Sequence, residues 1–191
     1  MKIRALVLSL AVVSTVFTGC AKQAAPTPVP TTPAPAATTP AKTDTVTGAS
    51  MATDEASFEQ KIGKSGVVVV LTNKDLTFTK DITVDGTFTK KDKTGKEVVA
   101  RSLGLATETA DKKVDKRFTV AAPKIVINSE NTLLEFGTLK GDVYVQAKGF
   151  TTKDATIDGN LYFATEELKN AFKADATTKI TGKVEVKAYT K

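Results

Sequence analysis

The chain has 191 residues and a formal net charge of +6, with one cysteine and no histidine. The absence of histidine excludes Ser-His-Asp and Cys-His catalysis as well as imidazole metal sites, and one cysteine cannot form an intrachain disulfide. From Met51 onward, 23 lysines and arginines stand against 20 aspartates and glutamates, a mild net charge of +3. We expect neither a metal nor a cofactor.

The first twenty residues have the pattern of an export signal. Lys2 and Arg4 precede an uncharged, mostly apolar run over residues 5–17, which is too short to span a bilayer as a helix. The run leads into Phe17-Thr18-Gly19-Cys20. This sequence resembles the lipobox of bacterial lipoproteins, in which an apolar residue and two small residues precede the lipidated cysteine. Phe stands here where Leu is usual.

The lipobox resemblance implies that residues 1–19 are removed and that Cys20 carries lipid. The protein would then be exported and anchored to the outer face of the bacterial cytoplasmic membrane, or to an outer membrane if the cell has one. Several acyl chains on one residue give stable anchoring. The alternative is an ordinary secretory signal with a chance cysteine near its cleavage site.

Residues 20–52 have the composition of a tether. Six of the seven prolines lie between Pro26 and Pro40, separated by Thr, Ala and Val. Such a segment cannot bury enough apolar surface to offset the entropy of ordering, so it predicts a disordered spacer with polyproline character. At roughly 3 Å per residue it would reach at most about 100 Å. A recognition site for proline-binding domains is the alternative.

The remaining segment, residues 53–191, predicts one domain that opens with a short helix. Asp54 and Glu55 suit the first turn, Phe58 and Ile62 lie on one face, and Gly63 suits the end. Thr, Val and Ile with period-two alternation then predict strands. These strands cover residues 67–71, 76–79 and 82–84.

A repeated pattern of apolar, polar, Gly, polar, apolar, polar, apolar residues follows. The pattern occurs around Gly141, Gly159 and Gly182, which are 18 and 23 positions apart. An earlier copy of it occurs around Gly86. Strand-rich repeats of about 20 residues predict a mostly β, single-domain β-solenoid, a parallel β-helix-like fold in which these glycines are structural. A β-sandwich with glycines at its hairpin turns is the alternative.

Two segments break this repeat. Residues 90–117 begin and end with lysine-rich runs, and they predict one projecting hairpin or long loop in which 97–105 forms a strand and 117–121 pairs back with it. The alternative is that this segment folds back as another rung of the solenoid. Residues 165–174 predict an inserted short helix. Thr165 would cap this helix, and Leu168 with Phe172 would form its apolar edge.

The repeats at residues 141–145 and 159–163 resemble the rungs of bactofilins and related polymer-forming β-solenoids. Those proteins are cytoskeletal scaffolds that assemble end to end, usually inside the cell and without an export signal. The resemblance implies a solenoid with a structural role, and no catalytic residues come with it.

Two groups of residues are candidates for a ligand surface. Tyr144 and Tyr162 occupy the same outward position of successive repeats, so they predict either a strip that binds sugar rings or a pair that covers the sheet. A basic cluster in the projecting segment predicts contact with anionic wall polymers or lipid head groups, with an ordinary solvated surface as the alternative. This cluster consists of Lys112, Lys113, Lys116 and Arg117.

Four aspartates are weaker candidates for a catalytic or calcium-binding site. Asp85 and Asp158 precede repeat glycines, with Asp142 and Asp154 nearby, and paired carboxylates can perform acid–base catalysis or bind calcium. Asp before Gly is also a common turn pairing in β proteins. We therefore expect a protein that is not an enzyme.

The expected function is a membrane-anchored envelope lipoprotein with a structural or scaffold role built on a β-solenoid. Its alternative is a module that binds cell-wall polysaccharide or another anionic polymer. The expected partners are the membrane, through Cys20, and either wall polymers or further copies of the chain, without nucleic acid.

Overall fold

The structure is a computed structural model that describes residues 50–191. The predicted signal, Cys20 and most of the predicted tether therefore lie outside the described residues. Residues 50–52, predicted to belong to the tether, instead form a strand whose backbone pairs with the solenoid.

The described chain contains two short helices and many short strands. The helices are Glu55–Ile62 (α1) and Glu166–Ala171 (α2). The strands are Ser50–Ala52 (β1), Val69–Thr72 (β2), Leu76–Thr77 (β3), Ile82–Val84 (β4), Thr89–Lys91 (β5), Glu97–Val99 (β6), Arg101–Gly104 (β7), Ala106–Glu108 (β8), Val114–Arg117 (β9), Thr119–Ile127 (β10), Thr132–Glu135 (β11), Thr138–Val145 (β12), Thr151–Lys153 (β13), Thr156–Asp158 (β14), Leu161–Phe163 (β15), Lys173–Ala174 (β16), Lys179–Ile180 (β17) and Val184–Val186 (β18). Neither helix is long and apolar enough to span a membrane.

The strands wind into a β-solenoid with two parallel sheets, as the repeat predicts. Sheet A has the order β1-β2-β7-β11-β13-β16, and sheet B joins β3 and β4 to β10, then β12, then β14 and β15, then β17 and β18. One strand of sheet A and the following strands of sheet B form a coil. Coil 1 contains β2 to β4, coil 2 contains β7 and β10, and coils 3, 4 and 5 begin at β11, β13 and β16. Strands within both sheets pair in parallel, which excludes the antiparallel sandwich.

The core lies between the two sheets and follows from the alternation along each strand. In β12, Leu139, Val143 and Val145 are buried in the continuous core, whereas Tyr144 is on the opposite face. Successive coils bring equivalent residues into register, so that Val145 pairs with Phe163 and both belong to the core.

Helix α1 covers the amino-terminal end of this core. Asp54 caps the helix by accepting from the Ser57 backbone N–H at 2.7 Å, and the Ser57 hydroxyl completes a capping box. Phe58 and Ile62 are buried, and the Phe58 ring lies 6.0 Å from that of Phe78. The predicted helix is confirmed.

Residues 90–117 contain two hairpins rather than the single hairpin or loop that we expected. β5 pairs with β6 and β8 pairs with β9, both antiparallel. Between them, β7 enters sheet A, with Leu103 in the core. Arg117 pairs with Ala106 in the second hairpin, and the chain from Thr119 onward belongs to sheet B. The segment therefore both projects and supplies part of a coil.

Three of the repeat glycines stack in a column in sheet B. A Cβ atom on Gly159 would collide with the carbonyl oxygen of Gly141, and one on Gly182 would lie 2.5 Å from the carbonyl oxygen of Gly159. Gly141 itself has a φ of +129° and lies against the carbonyl of Ala122. Glycine is required in the column because neighbouring backbones approach closely there.

Gly86 lies outside the column, so its predicted equivalence with the three later glycines is wrong. Val84 pairs with Ile127, which in turn pairs with Val145, so Val84 aligns with the end of the repeat and not with its beginning. The chain around Gly86, with a φ of +100°, leads towards the first hairpin.

The inserted helix is confirmed as α2. Thr165 caps it by accepting from the Leu168 backbone N–H at 3.3 Å. Leu168 and Phe172 pack against the core, and the Phe172 ring stacks on Phe150 at 5.7 Å. The helix therefore covers the side of coil 4 before the chain enters coil 5.

Candidate functional surfaces

The two candidate tyrosines stack on the outer face of sheet B. Tyr144 pairs with Tyr162 across β12 and β15, and their ring centroids are 4.9 Å apart with an interplanar angle of 37°. Val126 precedes them in the same column and Glu185 follows. We call Val126, Tyr144 and Tyr162 the tyrosine column. None of the three belongs to the core between the sheets.

The tyrosine column is covered, which corrects the expectation of an open ligand face. Tyr144 is 4% exposed, Tyr162 8% and Val126 2%, although all three point away from the core. The cover is the carboxyl-terminal tail, residues 187–191, which follows the last strand and folds back over the column. The pairing interpretation of these tyrosines therefore describes this state of the molecule better than the open strip.

The tail is held by contacts to four of the five coils. The Tyr189 ring lies 5.5 Å from Tyr144 at 69°, and its hydroxyl donates to Asp81 Oδ2 at 3.1 Å. The Lys187 ammonium lies 4.7 Å from the centre of the Tyr162 ring. The Lys124 ammonium donates to the carbonyl of Thr190 at 3.3 Å and lies 5.2 Å from the Tyr189 ring.

The packing of the tail also raises the pKa of the Tyr189 hydroxyl. Burial raises the pKa of its hydroxyl, and the hydrogen bond to Asp81 raises it further. Asp81 is in addition 3.6 Å from the Lys124 ammonium, so one carboxylate serves both partners. The phenol therefore remains protonated and keeps donating to Asp81 at neutral pH.

The basic cluster lies on the second hairpin, β8–β9, and divides into two kinds of residue. Lys112, Lys113 and Lys116 are exposed and form no ion pair within residues 50–191. Arg117 instead pairs with the Asp154 carboxylate at 2.5 Å and donates to the Asp154 carbonyl at 2.9 Å. Arg117 therefore fastens the hairpin to coil 4, and the three lysines remain available to a ligand.

The first hairpin, β5–β6, carries a second set of basic residues, from the other lysine-rich run of the projecting segment. They are exposed and likewise lack ion pairs in the described part of the chain. The set consists of Lys90, Lys91, Lys93 and Lys96. The lysine-rich run at the start of the segment was the available signal.

Outside the two hairpins, eight of the fourteen lysines in residues 50–191 pair with carboxylates. The eight are Lys64, Lys80, Lys124, Lys140, Lys148, Lys153, Lys169 and Lys183. The first hairpin follows a strand of sheet B and precedes one of sheet A, whereas the second hairpin lies on the return path. The unpaired lysines of the two hairpins therefore project from opposite edges of the solenoid.

The four candidate carboxylates do not form a common site. Asp85 pairs with Lys64 at 3.8 Å and accepts from the Gly86 N–H at 2.7 Å. Asp142 accepts from the backbone and side-chain amides of Asn160, at 3.2 and 2.9 Å.

The other two carboxylates have separate partners as well, since Asp154 binds Arg117 and Asp158 accepts from the Thr181 hydroxyl at 3.2 Å. Each of the four thus has its own local structural role. Across residues 50–191, no cluster of potential ligands has the arrangement of a metal site.

One buried charge connects the amino-terminal cap to the solenoid. Arg101 in β7 is 1% exposed, and its guanidinium donates to the carbonyls of Lys61, at 2.7 Å, and Val67. It also lies 4.3 Å from the Phe88 ring centre. Burial lowers the pKa of Arg101 to about 10, with a smaller opposing effect from Asp85, and the group remains charged at neutral pH. A positive charge at the last turn of α1 also complements the helix dipole.

A shallow cavity of about 420 Å³ lies on the outer face of sheet A beside the second hairpin. Its floor includes Leu71 and Gly104, and Glu135 and Phe136 line its wall. Glu135 accepts from the Ser102 hydroxyl at 3.1 Å and from the Lys153 ammonium at 3.2 Å. The carboxylate is therefore already satisfied by the protein.

Comparisons of the chain with family models, with curated proteins and with solved structures found no match.

Proposed function

We propose that this chain is an exported, lipid-anchored protein with a non-enzymatic structural role in the bacterial cell envelope. The observation that supports this role is the continuous stack of five parallel coils around one core. Each coil is joined to the next by backbone hydrogen bonds in two sheets, which makes the stack stiff along its axis. A stiff unit on a long tether is suited to holding a contact surface away from a membrane.

The carboxyl-terminal end of the stack is the surface most suited to contact with a further strand. β18 is the last strand beside β15, and Val184 and Val186 are 37% and 38% exposed. An edge strand presents unpaired backbone groups that can add a strand, and charged side chains at such an edge oppose it. Lys183 and Lys187 flank the exposed valines. We therefore expect limited self-association at this end rather than long filaments.

The anchor is tested with Cys20→Ser in the source cell. We expect the parent protein to incorporate labelled palmitate and to sediment with membranes, whereas the variant does neither. Normal lipid labelling of Cys20→Ser would show that another residue carries the anchor. Absence of label from the parent would contradict the anchor itself.

The structural role is tested in cells that lack the protein. We expect these cells to lyse more readily under osmotic shock, and the parent gene, but not the Cys20→Ser variant, to restore resistance. Sedimentation and electron microscopy of the full-length Cys20→Ser protein then separate monomers, closed oligomers and filaments. Unchanged envelope strength without the protein would contradict the structural role.

A second function, binding of an anionic polymer, is favoured by the unpaired lysines of the two hairpins. Residues 89–99 and 106–117 together contain eight basic and five acidic residues, a net charge of +3, whereas the rest of residues 51–191 contains 15 of each. The hairpins therefore carry the whole net charge of the domain. Unpaired ammonium groups on two projecting hairpins can neutralise phosphates or carboxylates of a flexible polymer.

Binding is tested with inorganic polyphosphate as the probe. Gln replacement of hairpin lysines should weaken binding by at least about tenfold at roughly 0.01 M salt, because exposed charges act over roughly 30 Å there. The variant replaces Lys90, Lys91, Lys112 and Lys113. A control with the same change in charge replaces the paired Lys140, Lys148, Lys153 and Lys169. Equal loss in both variants would attribute binding to net charge and not to the hairpins.

A further inference from the structure

All three tyrosines of the chain lie in one place. The sequence contains three tyrosines and no tryptophan, and Tyr144 contacts both Tyr162 and Tyr189. Two of them belong to the tyrosine column on the outer face of sheet B, and the third is brought there by the tail. The aromatic surface of this face is therefore complete only when the tail is closed.

The tail places a hydroxylated six-membered ring on the tyrosine column. The Tyr189 ring packs against Tyr144, and its hydroxyl donates to Asp81 Oδ2. The Lys124 ammonium lies 5.2 Å from the centre of the same ring. A sugar ring offers the same two features, an apolar C–H face and hydroxyl donors. The site that holds Tyr189 is thus a site for an aromatic-stacking ring with hydroxyl groups beside a carboxylate and an ammonium.

The tail itself is weakly attached. Its last backbone hydrogen bond to the solenoid in the described structure runs from Lys187 N–H to the carbonyl of Phe163, at 2.8 Å. Beyond that point, Ala188, Thr190 and Lys191 are exposed and Tyr189 is half-buried. The remaining contacts are surface ammonium–ring contacts and single hydrogen bonds, each weak in water. No residue of the tail belongs to the core.

We propose that residues 188–191 are a strap that opens without unfolding of the solenoid and that the exposed tyrosine column then binds carbohydrate. In the closed state, Tyr189 and the Lys187 ammonium occupy the ring surfaces that the sugar would use. A sugar chain therefore binds in competition with the strap. This proposal is independent of the scaffold role and of polymer binding by the hairpins.

Opening of the strap is tested by quenching of tyrosine emission with acrylamide, in full-length protein carrying Cys20→Ser. Because the chain has no tryptophan, this emission comes from the tyrosine cluster alone. We expect deletion of residues 188–191 to increase quenching several-fold, and Lys187→Met to increase it less. Lys183→Met is the matched control, since Lys183 pairs with Glu185 at 3.6 Å and not with the rings.

The same variants are checked for folding by circular dichroism. We expect the deletion to keep the parent's β spectrum and a single cooperative thermal transition. Unchanged quenching in the deletion variant would overturn the strap, because the column would then be shielded by something else. Loss of the cooperative transition would overturn it as well, because the tail would be an integral part of the fold.

Carbohydrate binding is tested by calorimetry with oligomers of β-1,4-linked N-acetylglucosamine. We expect the deletion variant to bind at least about tenfold more tightly than the parent, since a closed strap reduces the competent fraction. Adding Tyr162→Ala to the deletion should abolish the gain, whereas adding Lys183→Met should not. Equal binding by parent and deletion variant, or no binding by a variant that has opened, would overturn the carbohydrate site.

Discussion

The two ends of the solenoid are finished in different ways. At the amino-terminal end, α1 lays Phe58 and Ile62 over the core, and both are buried. At the carboxyl-terminal end, Val184 and Val186 of the last strand, β18, remain more than one-third exposed. A repeat stack needs terminal elements that protect it from association, and these two ends use different physical means.

The amino-terminal cap depends on burial, and the carboxyl-terminal end depends on charge. Arg101 fastens α1 by donating to the carbonyl of Lys61, so the cap is tied to coil 2 as well as to the core. The last coil instead carries Lys179, Lys183 and Lys187, and lysines at an edge oppose pairing with another chain. We therefore expect substitutions at the amino-terminal end to affect stability and those at the carboxyl-terminal end to affect association.

The largest effect should come from removing the apolar cap. Phe58→Ala deletes a ring that is 1% exposed and should lower the free energy of unfolding by about 3–5 kcal/mol. Urea denaturation followed by circular dichroism measures the change. Val186→Ala, at the exposed end, is the comparison and should cost less than about 0.5 kcal/mol. Equal losses would contradict the difference between the ends.

Glycine-to-alanine substitutions in the glycine column should likewise cost more stability within the stack than at its carboxyl-terminal end. Gly159→Ala places a methyl group against the Gly141 carbonyl at a φ of +155°, and it should cost about 2–4 kcal/mol. Gly182→Ala should cost less, since Gly182 is exposed in the last coil and its φ is not in the left-handed region. A larger loss at Gly182 would mean that the last coil is as rigid as coil 4. Thermal unfolding distinguishes the two cases.

Acid should loosen the last coil through Asp175. Its pKa lies at about 2, below the ordinary 3.8, mainly because the Thr178 hydroxyl donates to its carboxylate, and the Asp154 backbone N–H donates as well. Because the folded-state pKa is depressed, this stabilisation is complete above about pH 4 and is lost as the pH falls towards 2. Asp175→Asn should therefore reduce the fall in melting temperature between about pH 5 and pH 2. An unchanged pH profile would contradict this role.

The smallest effect on stability should come from further charge at the open end. Val184→Lys and Val186→Lys should each change the free energy of unfolding by less than about 0.5 kcal/mol, because both side chains are already partly in water. Any self-association of the parent should decrease in these variants. Analytical ultracentrifugation measures it, and unchanged association would place the contact elsewhere on the molecule.

Local patterns in the sequence predicted much of the fold. The Asp54 cap and the Phe58–Ile62 face identified α1, and Thr165 identified the start of α2. The 18-residue spacing aligned Tyr144 with Tyr162, as the parallel register confirms. These features depend on residues that are close in sequence or on a regular period, so they can be read without knowing the fold.

Other features of the fold were not predicted, because they lie where a coil departs from the regular repeat. Gly86 resembles the repeat glycines in sequence, but it follows β4, which pairs with the end of β10, whereas the column glycines precede the equivalent strand segments. Two hairpins flank a sheet strand where a single projection was expected, because β7 pairs within sheet A and its Leu103 belongs to the core.

The strand periodicity, the capped helices, the positions of three stacked glycines and the alignment of two tyrosines follow from local patterns of residues. Which surfaces are open depends on contacts between distant parts of the chain. The contact between Tyr189 and Asp81 joins residues 108 positions apart, and the ion pair of Arg117 with Asp154 joins two coils. Such contacts depend on how successive coils stack. A local sequence pattern does not show which residues of different coils will come into contact. The covered tyrosine column and the free hairpin lysines are therefore properties of the folded chain.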